Sequence, residues 1–106
     1  MQEITIVASI HAIPGHEADV QAALEALIEA THAEEGCLRY VLHRYREDST
    51  KFVIIEHWRD QDALDSHFGA EHMRAFMTTV GPWLEGGSVL HVLEPVRIGD
   101  ETKGSL

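Results

Sequence analysis

The sequence predicts a single α+β domain of order β-α-β-β-α-β, in which a four-stranded antiparallel sheet carries its helices on one side and pairs with a second copy on the other. Three observations predict it. Apolar residues recur at two-residue steps in four segments and at three- and four-residue steps in the segments between them. The strand segments are apolar on both faces, whereas two helices can cover only one. A chain of 106 residues with a 44% apolar fraction has room for one domain and one core.

The first strand runs from Glu3 to Ala12, with Ile4, Ile6, Ala8 and Ile10 on one face and Thr5, Val7, Ser9 and His11 on the other. Pro14-Gly15 ends it. From His16 to Glu34, Val20, Ala23, Leu24, Leu27 and Ile28 form one stripe of an amphipathic helix, and Gly36 is placed to stop it in a left-handed turn. Cys37–Arg46 and Lys51–Arg59 read as a hairpin rich in β-branched and aromatic residues, joined by Glu47-Asp48-Ser49-Thr50. In its first strand Leu38, Tyr40 and Leu42 alternate against Arg39, Val41 and His43. Asp60 can cap a short helix through Leu64, His67 and Phe68; Gly69 interrupts it before a second piece from Ala70 to Val80, with Met73, Phe76, Met77 and Val80 as its stripe. After Gly81-Pro82, Ser88–Ile98 returns to strand alternation, with Pro95 marking an edge position. Residues 1–98 thus form the domain, in the ferredoxin-like arrangement, and 99–106 read as a polar, frayed tail.

Phe52 and Ile54 alternate with Val53 and Ile55, and Val7 sits opposite Ile4 and Ile6, so the sheet face without helices needs a cover. A second copy related by a two-fold axis is the economical one. With 18 acidic residues against 8 Lys and Arg, the formal charge of −10 repels phosphate backbones and anionic lipid, which argues against nucleic acid or membrane as partners. The opening residues lack a basic segment and a long apolar run, which points to the cytoplasm. Cys37 is the sole cysteine, so no intrachain disulfide forms.

Dinucleotide, Walker, nucleophile-elbow and His-Glu-x-x-His motifs are all missing from the sequence, so no nucleotide or flavin cofactor is expected. Eight histidines raise the question of a metal, but none pair at i, i+4 on a predicted helix, and His67 and His72 flank a break; no metal site is expected. On the hairpin, Phe52, Ile54, Glu56 and Trp58 share one face, so Glu56 is an acid on an apolar surface and its pKa should rise unless it finds partners. His67 shares the stripe of Leu64 and Phe68 and should face inward. Two readings stay open. Glu56 and His67 either form a hydrogen-bonded pair that orders the core, or, with Trp58, they furnish an apolar cavity with a few polar groups. Tyr40 reads equally as an interface aromatic or a ligand contact, while His72 and Phe76 share a helical face that could roof the cavity.

Three stretches carry a resemblance: Glu35-Gly36-Cys37-Leu38-Arg39-Tyr40-Val41-Leu42-His43-Arg44, then Phe52-Val53-Ile54-Ile55-Glu56-His57-Trp58, then Ala63-Leu64-Asp65-Ser66-His67-Phe68. Together with the opening strand and Pro14-Gly15-His16, they make the chain resemble the antibiotic biosynthesis monooxygenase family over nearly the whole domain. The resemblance implies a dimeric α/β barrel with a ligand cavity in each subunit. Some members oxidise hydroquinones or polycyclic phenols without metal, flavin or haem. On that resemblance His67 is the expected general base, Glu56 the residue that orients or charges it, and Trp58, Tyr40 and Phe76 the walls for a flat ring, with His72 beside them.

The same fold also implies competitors. A haem-degrading branch resembles an Asn–Trp–His arrangement that this chain does not reproduce, since the first strand offers Ser9 and the other two positions read His67 and Met77. Relatives that isomerise or process small oxygenated sugars or signalling molecules are another, and a phosphorylated substrate would need a cationic anchor, for which Arg39, Arg44 and Arg74 are the candidates. A third reading is a dimer that binds a small molecule without turnover.

Overall fold

The computed structural model describes residues 2–106. Its elements are β1 (Ile4–His11), α1 (Glu17–His32), β2 (Cys37–Arg44), β3 (Lys51–Trp58), α2 (Gln61–Phe68), α3 (Glu71–Val80) and β4 (Val89–Leu93), with a short 3-10 turn at Gly81–Trp83. The sheet is antiparallel in the order β2-β3-β1-β4, the predicted ferredoxin-like topology. Gly15, at φ +97°, takes the left-handed turn that lets the chain leave β1 for α1. Asp60 caps α2 as expected, its Oδ1 accepting from the Ala63 amide at 2.9 Å.

Pleating places Ile6, Ala8, Ile10, Phe52, Ile54, Glu56 and Trp58 on one face, where Val20, Leu24 and Leu27 of α1, Leu64 of α2 and Phe76 and Val80 of α3 cover them. Glu56 is the acid in that set, 3% exposed. On the other face Val7, Ile55 and Val41 lie side by side across β1, β3 and β2. There the segment after β4 lies over Thr5 and His57 and leaves Val41 and Val89 exposed. Every residue of β4 is exposed, so this strand finds little cover on either face. It ends at Leu93, short of the expected Ile98, and residues 99–106 form a turn closed on Asp100.

Two local expectations need correction. A bulge between Cys37 and Arg39 shifts the pleat of β2, so Cys37 packs against the core with Tyr40 and Leu42 while Leu38 is exposed. Gly36 is not in a left-handed conformation; α1 already ends at His32, and Ala33 after it lies in the right-handed region. Glycine is needed for a different reason, because a Cβ at Gly36 would overlap the Cβ of Ala63 in α2, while the Gly36 carbonyl accepts from the Arg59 amide at 2.9 Å. Gly36→Ala is therefore expected to lower stability by about 1–3 kcal/mol through overpacking. Urea unfolding checks this, and adding Ala63→Gly should restore most of the loss.

Candidate active site

Between the sheet and α3 lies a cavity of about 540 Å³. Its floor is Ala8, Ile10, Ile54 and Leu90; Phe68, Met73, Phe76 and Met77 wall it from the helices. Space exists because Ala8, at the centre of the sheet between Ile54 and Leu90, is small. Tyr40, Glu56 and His67 bring polar groups into this apolar setting, and Arg74 stands on the α3 side, its guanidinium donating to the Gly69 carbonyl at 2.7 Å.

His67 is 1% exposed and is held by stacking and by charge. Its ring lies 4.4 Å from that of Trp58 and 5.4 Å from that of Tyr40, centroid to centroid. Its Nδ1 lies 2.7 Å from Glu34 Oε2. A carboxylate only accepts, so Nδ1 carries the hydrogen, and Nε2, which makes no hydrogen bond among the described residues, keeps its lone pair. Burial lowers the proton affinity of the ring and the adjacent His72 lowers it further, against the opposing pull of Glu34; the net shift is downward, which keeps the ring neutral at pH 7.

Glu56 does not hydrogen-bond His67. Its partner is Trp58, whose indole Nε1 donates to Oε1 at 2.9 Å. Burial pushes the Glu56 carboxyl up to about 7, opposed by the Trp58 hydrogen bond and helped by the charge of Glu34. The expected Glu56–His67 pair is thus replaced by two pairs, Glu34–His67 and Glu56–Trp58. Tyr40 and Phe76 line the cavity, whereas Trp58 is wholly buried behind His67 and Glu56 and forms the backing of the site. His72 turns outward from the cavity, its Nε2 2.7 Å from the same Oε2 of Glu34. Burial lifts the Tyr40 hydroxyl well above its ordinary range, and the Cys37 thiol is pushed up to about 11, so neither ionises at neutral pH.

Glu34 is the residue that sequence pattern did not single out. It sits in Ala33-Glu34-Glu35-Gly36, which reads as a solvated helix end. The signal that points to it is chemical, since a histidine on an apolar stripe requires a partner for its N–H.

Solved structures share the fold over most of the chain. The Pseudomonas aeruginosa protein PA3566 superposes with a TM-score of 0.85 at 36% identity, covering 91% of this chain and 96% of that one. Rv0793 of Mycobacterium tuberculosis superposes with a TM-score of 0.85, covering 92% of this chain and 99% of that one. In a sequence comparison Rv0793 is 31% identical over 93 residues, 88% of this chain and 91% of its own. Among the described residues no helix is long and apolar enough to cross a membrane. The sequence model described as "Antibiotic biosynthesis monooxygenase" matches residues 3–79, which span β1 through α3, and the chain belongs to that family.

Proposed function

We propose that this protein is a cofactor-independent monooxygenase that oxidises a hydroquinone or polycyclic phenol with molecular oxygen. The observation that carries the reading is His67, a neutral imidazole fixed by Glu34 at Nδ1, with an unengaged Nε2 at an apolar cavity large enough for a flat ring. A phenol bound between the sheet floor and Phe76 would give its proton to Nε2. The resulting anion is electron-rich, and the apolar walls keep it from being quenched by water. One oxygen atom enters the ring and the other leaves as water, with all four electrons drawn from the substrate. Glu56, titrating near neutrality, can return a proton to the reduced oxygen.

Oxygen uptake with a panel of hydroquinones and polycyclic phenols, corrected for autoxidation, tests the proposal. Enzyme-dependent uptake with formation of the matching quinone supports it, and binding of such phenols without uptake overturns it.

The partner we propose is a second copy, sheet against sheet. Val7, Ile55 and Val41 on the free face, and a β4 exposed throughout, support this. Sedimentation equilibrium is expected to give twice the 11.9 kDa chain mass, and Val41→Glu should shift it toward the monomer.

A further inference from the structure

Glu34, His67 and His72 come from three separate segments: the turn after α1, the last turn of α2 and the first turn of α3. Their ligand atoms, Oε2, Nδ1 and Nε2, lie within 4.8 Å of one another. Both rings give their N–H to the same carboxylate oxygen, and their centroids are 6.1 Å apart. The break at Gly69, which in sequence argued against a shared site, is what turns the two rings toward a common point.

We propose that these three side chains bind a divalent transition metal of the zinc class, and that occupancy turns His67 from a proton acceptor into a hydrogen-bond donor. Two imidazole nitrogens and one carboxylate oxygen make a donor set used by zinc sites that keep a fourth position open. Nitrogen donors select against magnesium and calcium. Ligand atoms on one tetrahedral zinc stand about 3.3 Å apart, so Glu34 Oε2, now 2.7 Å from each ring nitrogen, must withdraw while the two nitrogens, within 4.8 Å of each other, settle to the same spacing. It can do so, since it lies in a turn and not within a helix. A hydrated cation has a way in, because the His72 side chain is 27% exposed and that of Glu34 16%.

The switch follows from tautomer chemistry and rests on the reading of His67 as the base. A neutral imidazole carries one ring hydrogen. If Nδ1 holds the metal, that hydrogen must sit on Nε2, the nitrogen left free for the substrate. The ring then offers a hydrogen bond to a phenol oxygen and cannot accept its proton, so the metal-loaded form is the inactive one.

Cobalt(II) titration of the untagged, substrate-free protein, followed by visible absorption, tests the site. One equivalent per chain with four- or five-coordinate bands is expected, with affinity reduced at least tenfold in His72→Ala and in Glu34→Gln. Nitrogen-resolved NMR of the zinc-loaded protein should show His67 in its Nε2–H tautomer. Absorption of hexaaqua cobalt alone, or binding unchanged in both variants, overturns the site. A zinc-loaded His67 that keeps its hydrogen on Nδ1 overturns the switch. All readouts are taken without substrate, so failure of the metal site and failure of the monooxygenase reading are distinguishable.

Discussion

His67→Ala is expected to lower kcat for phenol oxidation by about 10²–10⁴-fold, the usual contribution of a positioned general base. The size of the effect follows from the geometry. Glu34 fixes the ring through Nδ1 and Trp58 backs it at 4.4 Å, so Nε2 presents its lone pair to the cavity in one orientation. Alanine also removes a buried ring and strips Glu34 of a donor, so His67→Gln serves as the companion variant, keeping much of the bulk and an N–H for Glu34. Both should lose turnover, while circular dichroism shows the glutamine variant folded. Full oxygen uptake by either variant would remove His67 from the chemistry. Glu34→Gln should fall between wild type and His67→Ala, because an amide can present its NH₂ to Nδ1 and so favour the tautomer whose Nε2 carries the hydrogen.

Glu56→Gln is expected to stabilise the protein at alkaline pH by roughly 3 kcal/mol while reducing turnover. In the folded protein the Glu56 carboxyl keeps its proton up to about 7; unfolded, it loses it near the ordinary value of 4.5. Between those values the native state binds more protons than the unfolded state, so its stability falls as pH rises through the window. Glutamine stays neutral throughout, and its carbonyl can still accept from Trp58 Nε1. The two proteins should therefore be about equally stable near pH 4 and diverge up to about pH 7, which urea unfolding at several pH values would show. A constant difference across that range would mean that packing, and not ionisation, separates them. The cost that Glu56 imposes makes sense if its proton is used, as the proposed return of a proton to reduced oxygen requires.

Strand alternation and helical stripes made most of the fold legible in the sequence. Ile4, Ile6, Ala8 and Ile10, and Phe52 through Trp58, announce their faces because a pleat has a period of two and a buried face tolerates few polar residues. Leu38 defeated the same reasoning, because one extra residue at the bulge inverts the pattern locally and leaves no mark in composition. Gly36 was conspicuous at a helix end, yet its cause lies in Ala63, a contact that chain order does not display. In the site, Glu56, His67, Tyr40 and Phe76 were legible as residues out of keeping with, or continuing, an apolar face, and the structure brings them to one cavity. Their pairing was not. Glu56 accepts the hydrogen bond that the Trp58 indole donates because the two lie on the same side of one strand, two residues apart. That frees His67 for Glu34, an acid 33 residues earlier in the chain.

The sheet order β2-β3-β1-β4 also governs how the molecule comes into being. Only β2 and β3 are joined by a short connection and can pair early. The first strand needs β3 on one edge and β4 on the other, so both of its partners lie far along the chain and its closure is entropically slow. During synthesis β1 leaves the ribosome with neither neighbour made, and its β4 edge stays open until Leu93 has emerged. For that interval the nascent chain presents an unpaired apolar strand, a stage at which chaperone capture or mispairing with another nascent copy competes with folding.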